Sequence, residues 1–387
     1  MEYRKRHRRL WAFQSFVAGI LVRIKFNFKG ASNNPAGPYL VLSNHVTDWD
    51  PLMIASTFKQ QMYFVASEHI FRLGFYSRLI SFFFSPIARQ KGGSAAGTVK
   101  TILRTLKDGY NVCLFPEGNR SWDGKTGEFT ESTGKLVRAS GVSLVTYRLS
   151  GGYFSSPRWA GKSIRRGKMT GKVIGVYTPE QIKAMSLAEI NALISSDLAV
   201  DAYAEQRENP VRFKGKRIAE HLETFLFACP VCGRRHTLKS ENSRFFCQSC
   251  GAEAEYTDSG FLNGSFGYDN ISDWASWQNS VIDSLCAGSS SEPIFCDDSL
   301  QLMSVESARR SKNLGTGKLR LFLDRLELPG GLSIPGKNIG GMSVRGDSTL
   351  FIGTADGAHY QLTSSGVFNA QKYLLACRRL GFISSFV

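Results

Sequence analysis

Apolar runs and helical patterns alternate between residues 35 and 175, and they predict a sheet covered by helices. The runs PYLVLS, MYFVAS, NVCLF and VSLVTYRL have the length and composition of buried strands. Helices are predicted from Pro51, with Asp50 as the N-cap, and from Ser94 to Asp108. Because alternating strands and helices build a sheet with helices on its faces, this region is predicted to be an α/β domain.

The pattern changes twice in the second half of the chain. Residues 179–208 and 269–285 have helical spacing, Pro210 marks a domain edge, and SSSEP at 289–293 has the composition of a linker. From Ile294 onward, short alternating runs are separated by Gly, Asp and Asn, and the chain closes with the helical segment VFNAQKYLLACRRL. This pattern predicts a small β-barrel or sandwich capped by a helix, a layout that resembles the pleckstrin-homology-like or GRAM-like domains.

The N-terminus joins a basic cluster to an apolar helix. The basic residues are Arg4, Lys5, Arg6, Arg8 and Arg9. Apolar residues at helical spacing follow, namely Leu10, Phe13, Val17, Ile20, Leu21 and Ile24. The apolar run is shorter than the ~20 residues of a spanning helix, and it lacks the small-residue cleavage site of a signal peptide. We expect a helix lying on an anionic membrane surface; the alternative is an ordinary core helix behind a solvated basic tail.

Composition narrows the class of partner and the compartment. The 387 residues carry a net charge of +16, which favours an anionic partner such as a lipid surface, a phosphorylated substrate or nucleic acid. Four of the eight cysteines are clustered, whereas Cys113, Cys286, Cys296 and Cys377 are scattered. Since this is not the pattern of a secreted disulfide framework, a reducing, cytosolic compartment is predicted.

Two polar segments directly follow strand-like runs. NHVTDWD follows YLVLS, and FPEGNRS at 115–121 follows NVCL, so both are expected at the carboxyl ends of parallel strands and in one pocket. An imidazole at His45 can accept a proton near neutral pH, and a carboxylate on its other nitrogen fixes the tautomer. Asp50 is the first candidate for that carboxylate, and Asp48 is the second. No suitably placed Ser or Cys nucleophile is evident, which favours direct attack by a substrate hydroxyl.

The second polar segment offers groups for an anion. Gly118 permits a tight turn, Arg120 presents a planar fork suited to phosphate, and Glu117 can accept hydrogen bonds from hydroxyls or orient backbone donors. Arg89 and Lys91 add basic groups just before a predicted helix N-terminus, which favours anion binding.

NHVTDWDP and FPEGNRS resemble motifs I and III of the glycerolipid acyltransferases, the lysophosphatidate acyltransferase group, over roughly residues 20–175. The resemblance implies that His45 is the catalytic base, oriented by Asp50. It also implies that substrate is bound by Arg89, Glu117, Gly118 and Arg120. Two positions depart from the family pattern, because Asn119 replaces the usual Thr and Thr146 stands where the fourth motif has Pro.

Two CxxC pairs lie close together in the sequence. Cys229 and Cys232 are separated by fourteen residues from Cys247 and Cys250, and Gly follows each pair. Four thiolates at this spacing predict a closed, structural zinc site, and the segment resembles a zinc ribbon. A redox CxxC or disulfides are the alternatives. His236 is a further ligand candidate, but four thiolates leave no coordination position for it.

The sequence therefore predicts an α/β fold class: an acyltransferase-type sheet covered by helices, followed by a zinc ribbon and a β-rich, pleckstrin-like domain. The predicted segments are an interfacial helix at 1–30, the acyltransferase domain at 31–215, the ribbon at 225–257, a helix and linker at 258–293, and the β-rich domain at 294–387. The apolar, basic stretch 71–90 is predicted to face a membrane or to be buried core.

The functional hypothesis is an acyltransferase at the cytoplasmic face of a membrane, peripheral or monotopic. It moves a fatty acyl group from a thioester, on CoA or acyl carrier protein, to lysophosphatidate and forms phosphatidate. One alternative acceptor is glycerol 3-phosphate or another lysolipid. Another alternative is a nucleic-acid-binding zinc-ribbon protein, which the basic N-terminus and RRGK at 165–168 permit although no nucleic acid is expected. A third is a lipid-binding scaffold with a silent acyltransferase domain.

Overall fold

The computed structural model of the chain describes residues 2–67, 85–89, 96–289, 291–307 and 310–383. The chain divides into two compact units. The first contains Met1–Pro157 and Ile164–Gly215, and the second contains Arg158–Ser163 and Lys216–Val387. Most of the stretch 71–90, together with Lys91 and Ser94, lies outside the described residues, so its predicted surface stays a prediction.

A seven-stranded mixed sheet forms the centre of the first unit. Its strands are β1 (Phe28–Ala31), β2 (Tyr39–Ser43), β3 (Met62–Ser67), β4 (Ile87–Arg89), β5 (Asn111–Leu114), β6 (Ser143–Ser150) and β7 (Met169–Tyr177). Their order in space is β1-β7-β6-β2-β5-β3-β4, and β6 and β7 are antiparallel while the other neighbours are parallel. The predicted α/β sheet is confirmed, and β1, β4 and β7 are strands that the sequence pattern does not predict.

Helices cover both faces of this sheet. They are α1 (Glu2–Phe26), α2 (Asp50–Ala55), α3 (Ala96–Lys107), α4 (Ser132–Ser140), α5 (Gly152–Ser155), α6 (Pro179–Ala184), α7 (Leu187–Leu198) and α8 (Ala202–Glu208). In β2, Tyr39 and Val41 pack with α1 and α2, while Leu40 and Leu42 pack with α3, α4 and α7. Every residue of β2 is buried, as expected for the central strand of a sheet covered on both faces.

Helix α1 has two apolar faces with different environments. Trp11, Ala18, Val22 and Phe26 are buried, and the Trp11 Nε1–H donates to the carbonyl of Phe58 at 3.1 Å. The opposite face is exposed and consists of Phe13, Phe16, Val17, Ile20, Leu21 and Ile24. Among the described residues, no helix combines the length and the apolar character needed to cross a bilayer. The helix is therefore part of the core and also presents an uncovered apolar surface.

The second unit begins with a four-stranded antiparallel sheet and a long helix. The strands are β8 (Leu238–Glu241), β9 (Arg244–Cys247), β10 (Glu253–Tyr256) and β11 (Leu262–Gly264), in the spatial order β11-β10-β9-β8. Helix α9 (Ile271–Cys286) follows, with Asn270 as its N-cap, close to the helix predicted at 269–285.

A second seven-stranded sheet, entirely antiparallel, occupies the C-terminal region. Its strands are β12 (Phe295–Ser307), β13 (Arg310–Leu321), β14 (Arg325–Glu327), β15 (Ser333–Pro335), β16 (Ile339–Arg345), β17 (Thr349–Thr354) and β18 (His359–Ser364). The spatial order is β15-β14-β13-β12-β18-β17-β16, and helix α10 (Ala370–Arg379) packs against β16 and β17. A β-rich C-terminal region is thus confirmed, and its likeness to pleckstrin domains stays a prediction.

Candidate active site

The two polar segments emerge side by side because their strands are neighbours. β2 and β5 are parallel, with Leu42 opposite Leu114, so residues 44–50 and 115–121 begin at the same edge of the sheet. The backbone N–H of His45 donates to Glu117 Oε1 at 2.7 Å, and the N–H of Ser121 donates to the His45 carbonyl at 3.2 Å. The two loops are therefore bonded to one another, as the strand-end argument predicts.

A His–Asp dyad lies at this edge. His45 Nδ1 is 2.8 Å from Asp50 Oδ2, and the Asp50 side chain is fully buried. Asp50 also accepts hydrogen bonds from the N–H groups of Val46 and Thr47, at 2.7 and 3.0 Å, and from the Thr47 hydroxyl at 2.7 Å. An ionised carboxylate only accepts hydrogen bonds, so each of these groups donates to Asp50. Together they fix the positions of the two Asp50 oxygens.

Asp50 does not cap α2 as predicted. Trp49 occupies the N-cap position, without a side-chain hydrogen bond, and Asp50 is the first residue of the helix. The carboxylate is turned back toward the preceding loop instead. The other carboxylate candidate, Asp48, is 78% exposed and pairs with Arg120 rather than with the imidazole.

The remaining imidazole nitrogen is Nε2. The His45 ring stacks on Phe115 with 4.5 Å between ring centroids, its side chain is 20% exposed, and it lines a shallow cleft. The cleft is also lined by Asn44, Val46, Glu117, Ser121, Gly124, Lys125, Thr126 and Val200. With Nδ1 held by Asp50, Nε2 is the nitrogen able to accept a proton from a bound hydroxyl.

Glu117 ties the second loop to the first. Its Oε1 accepts from the N–H of His45 and its Oε2 from the N–H of Gly127, each at 2.7 Å. Burial raises the pKa of Glu117 to about 8; the N–H groups of Gly127 and His45 lower it, and the carboxylates of Asp50 and Asp123 raise it. In this structure Glu117 therefore orients backbone donors, one of the two roles expected for it.

Gly118 brings Arg89 against the second loop. Gly118 has φ +68°, and a Cβ at this position would lie 2.7 Å from Arg89 Nη1. A side chain there would be strained and would displace the guanidinium. Arg89 forms no ion pair with a carboxylate of the described residues, so its fork remains available to an anion beside Gly118.

Arg120 contacts other parts of the chain. Its Nε donates to the carbonyl of Val46 at 3.0 Å, Nη1 contacts Asp48 at 3.0 Å, and Nη2 donates to the carbonyl of Ser156. The buried guanidinium thus joins the first loop to the segment after α5. The expectation that it binds phosphate stays a prediction.

Two buried residues support the site without having been singled out in the sequence. Asn44 Nδ2 donates to the carbonyl of Leu149 at 2.9 Å, and Asn44 Oδ1 accepts from the Leu149 N–H at 2.8 Å. Thr47 places both its N–H and its hydroxyl on Asp50. Their position in NHVTDWD was the only signal available, and for Asn44 the partner residue Leu149 lies 105 positions further along the chain.

Thr146 has a polar environment where the family pattern has Pro. Its hydroxyl lies 2.6 Å from Asp197 Oδ2 and accepts from the Gly175 N–H at 3.0 Å. The β6–β7 register shifts between Thr146 and Tyr147. Tyr177 also donates to Asp197, at 2.7 Å. A proline at 146 has no hydroxyl and could not form these hydrogen bonds. Thr146 is therefore part of a local hydrogen-bond network that the family's Pro would not make.

The four cysteines lie together in the second unit. Sγ of Cys229 is 3.8 Å from Sγ of Cys250, and Sγ of Cys232 is 3.8 Å from Sγ of Cys247. All four sulfurs lie within 4.8 Å of one another, so the group can hold a metal ion. Tetrahedral zinc with Zn–S bonds near 2.3 Å has sulfurs about 3.8 Å apart, whereas a disulfide needs about 2 Å. The distances fit the metal alternative and not the disulfide one.

Local hydrogen bonds favour a thiolate at Cys247. Burial opposes its ionisation, but the Thr237 hydroxyl and the N–H groups of Cys250 and Ser249 lower the pKa of the Cys247 thiol to about 6. His236 is outside this group; its ring nitrogens lie 3.4 and 3.5 Å from Lys372 Nζ. The donor set is therefore four sulfurs.

The fold and the dyad define a class: an α/β domain with a His–Asp pair at the carboxyl ends of its parallel strands. The family described as Acyltransferase matches residues 25–150, the segment that contains both polar loops. This segment of the chain is therefore similar to the Acyltransferase family.

Curated relatives carry related names. The chain is 30% identical over 148 residues to the 1-acyl-sn-glycerol-3-phosphate acyltransferase LPAT1, chloroplastic, of Arabidopsis thaliana, which covers 36% of this chain and 41% of the relative. It is 27% identical over 131 residues to the 1-acyl-sn-glycerol-3-phosphate acyltransferase of Borreliella burgdorferi, which covers 33% of this chain and 52% of the relative. The chain thus spans about half the length, or less, of these relatives.

A solved structure, the 1-acyl-sn-glycerophosphate acyltransferase PlsC from Thermotoga maritima, matches with a TM-score of 0.44 and 19% identity. The match covers 53% of this chain and 83% of that chain.

Proposed function

We propose that this protein is a membrane-associated acyltransferase that moves a fatty acyl group from a thioester to lysophosphatidate and so forms phosphatidate. The observation that carries the proposal is the His45–Asp50 dyad, 2.8 Å apart, with the Arg89 guanidinium against the neighbouring loop. The names of the matched relatives support this acceptor. The donor is acyl-CoA or an acyl carrier protein thioester.

His45 is the general base of the proposed reaction. Asp50 holds Nδ1, and Nε2 takes the proton of the acceptor hydroxyl as its oxygen attacks the thioester carbonyl. The tetrahedral intermediate then collapses by breaking the carbon–sulfur bond. The imidazolium returns its proton to the leaving thiolate, so the enzyme ends in its starting state. No covalent acyl-enzyme is required, because the acceptor itself is the nucleophile.

Arg89 is assigned to the acceptor phosphate. Its guanidinium lies beside Gly118, in the loop that Glu117 bonds to His45. A phosphate held there places the glycerol hydroxyl of the same molecule toward the dyad. Binding of the phosphate then orients the hydroxyl for reaction. Arg120 is assigned first to holding the loop of Val46 and the segment of Ser156 together. That Arg120 also contacts the acceptor phosphate is retained as a prediction.

Helix α1 is assigned to an anionic membrane surface. Phe13, Phe16 and Ile24 are 64%, 67% and 67% exposed on the face opposite the buried Trp11. An apolar face of this kind beside basic residues is typical of helices that lie in the interfacial region of a bilayer. The proposed location is peripheral or monotopic, at the cytoplasmic face, where acyl thioesters are made available to a lipid acceptor.

The cysteine cluster is proposed to bind one structural Zn²⁺ as a zinc ribbon. Cys229, Cys232, Cys247 and Cys250 supply four ligands, which leaves no coordination position for substrate. The zinc therefore contributes to folding of the second unit and not to the acyl transfer. The C-terminal seven-stranded sheet with α10 is proposed to be a pleckstrin- or GRAM-like module.

Acyl transfer by the purified full-length chain in mixed micelles tests the catalytic proposal. Labelled lysophosphatidate and glycerol 3-phosphate are offered separately, each with acyl-CoA and with acyl carrier protein thioesters. We expect phosphatidate from lysophosphatidate with wild-type protein and none with His45→Ala. Turnover of glycerol 3-phosphate alone would move the assignment to that acceptor. Absence of turnover with all four pairs, from folded protein, would contradict the proposal.

A further inference from the structure

Basic residues are concentrated in segments without acidic residues. Residues 3–47, 132–179 and 209–219 contain no Asp or Glu, and together they contain 21 of the 48 Lys and Arg residues. The rest of the chain has fewer basic than acidic residues, so the net charge of +16 arises from these segments. The motif RRGK at 165–168 belongs to the second of them, and the catalytic proposal gives it no role.

The fold brings parts of these three segments together at the end of α1. Arg166 Nε donates to the Ile24 carbonyl in the last turn of α1 at 3.1 Å. Arg166 and Lys214 exchange two backbone hydrogen bonds, of 2.8 and 3.0 Å. β1 pairs with β7, with Phe28 opposite Met169, so the residue before Met169 also lies beside the end of α1.

Five exposed cations result from this arrangement, and we call them the basic ledge: Arg23, Lys29, Arg166, Lys168 and Lys214. None of them forms an ion pair with a carboxylate in the part of the chain that the structure describes. The ledge is therefore a concentration of cations that the chain itself does not neutralise.

The ledge adjoins the exposed apolar face of α1. Ile24 is 67% exposed as the last member of that face, and its own carbonyl holds Arg166. A single surface thus carries aliphatic and aromatic side chains on one side and cations on the other. This is the combination by which an interfacial helix enters the acyl region while cations contact headgroup phosphates.

We infer that the basic ledge binds the anionic headgroups of a membrane and makes docking of α1 selective for negatively charged lipid. The inference rests on the membrane association proposed above and adds the residues that select the lipid. Nucleic acid is the competing occupant. On the exposed apolar face of α1 the rings of Phe13 and Phe16 could stack on bases, but the ledge adjoins the aliphatic end of that face, formed by Ile20, Leu21 and Ile24, which have no π-face. Their exposure fits a lipid surface.

Sedimentation with lipid vesicles tests the inference. The full chain is mixed with phosphatidylcholine vesicles that contain either no anionic lipid or about one-third phosphatidylglycerol. Lys168→Gln/Lys214→Gln is compared with Lys107→Gln/Lys135→Gln, which removes the same charge from exposed positions on α3 and α4, on the opposite face of the sheet. We chose lysines rather than Arg166 because Arg166 supports the end of α1.

The ledge variant should partition onto the anionic vesicles about 25-fold less than wild type, at roughly fivefold for each lysine. The control variant should keep most of the wild-type partition coefficient, and all three proteins should bind neutral vesicles equally. Unchanged binding of the ledge variant to anionic vesicles, or an equal loss in both variants, would overturn the inference. If the ledge variant instead loses salt-dependent binding to duplex DNA and keeps vesicle binding, the ledge belongs to nucleic acid.

Acyl transfer in neutral detergent micelles separates this result from the catalytic proposal. The ledge lies outside the proposed catalytic groups, so Lys168→Gln/Lys214→Gln should transfer acyl groups at the wild-type rate there. If the wild-type protein binds anionic vesicles selectively but transfers no acyl group, the inference about the ledge is supported and the catalytic proposal is contradicted. If the protein transfers acyl groups but binds both kinds of vesicle equally, the catalytic proposal is supported and the inference about the ledge is contradicted.

Discussion

The Asp50 carboxylate lies 2.8 Å from His45 Nδ1 and also accepts from the N–H groups and hydroxyl of the residues between them. The Asp50 carboxylate is thus fixed by the same loop that carries His45. Because Asp50 is buried and accepts these hydrogen bonds at 2.7–3.0 Å, it is positioned to hold the imidazole in one tautomer.

Replacement of Asp50 by Asn should lower kcat strongly. The amide presents a donor to groups that are themselves donors, and it no longer selects the tautomer with the proton on Nδ1. We expect a fall in kcat on the order of 10³-fold or more, with little change in KM, measured by acyl transfer to lysophosphatidate. Asp48→Asn is the matched control, since Asp48 is 78% exposed, does not contact the imidazole, and as Asn keeps an oxygen that can accept from Arg120. Equal loss in both variants would contradict the assignment of Asp50.

Arg89 and Arg120 should differ in what their loss changes. Arg89→Gln removes a cation that faces the proposed phosphate, so the KM for lysophosphatidate should rise about 10- to 100-fold, as expected for a lost charge-assisted hydrogen bond. Arg120→Gln removes donors from the carbonyls of Val46 and Ser156, so the free energy of unfolding should fall by about 1–3 kcal/mol. Steady-state kinetics and urea denaturation measure the two effects. An increased KM for Arg120→Gln at unchanged stability would place Arg120 on the phosphate instead.

Sequence patterns indicated which loops lie together at the site, but not which residues hold those loops in place. Strand-end motifs indicated that His45 and Glu117 lie together, because neighbouring parallel strands end at one edge, and the structure bonds them directly. The residues that hold the loops in place bond to partners that are distant in the sequence. Asn44 pairs with Leu149, and the Arg120 guanidinium reaches Ser156, contacts that no local pattern encodes.

The same limit applies to helix α1. Its exposed residues, from Phe13 to Ile24, have the helical spacing expected of an interfacial face. Trp11 and Phe26 lie on the other face and are buried, so the helix also belongs to the core. The core interpretation accounts for one face of the helix, and the interfacial interpretation of its exposed face stays a prediction.

Removal of one ligand should release zinc and destabilise the second unit. We expect one Zn²⁺ per chain in wild-type protein by elemental analysis, and loss of that ion in Cys232→Ser. Since four-sulfur sites hold structural zinc, the variant should unfold at lower temperature and should be cleaved more readily within residues 216–387. Cys296→Ser is the control, because Cys296 is exposed and lies outside the sulfur cluster. Unchanged zinc content in Cys232→Ser would contradict the site.

Glu117 should make stability depend on pH in a direction opposite to that of a salt-bridged acid. Burial raises its pKa to about 8 in the folded state, from 4.5, so the folded chain holds this proton more tightly than the unfolded chain. The stability contributed by the neutral carboxyl is complete below pH 4.5, is lost as the pH rises toward 8, and changes little above that. The total loss should be on the order of a few kcal/mol.

Urea denaturation of wild type and Glu117→Gln across this range isolates the effect, since the other titrating groups are shared. The free energy of unfolding of wild type minus that of the variant should decrease from pH 5 to pH 8 and then level off. A difference that does not vary with pH would mean that Glu117 is ionised throughout. In that case the N–H groups of His45 and Gly127, each 2.7 Å from one of its oxygens, outweigh the cost of burying the charge.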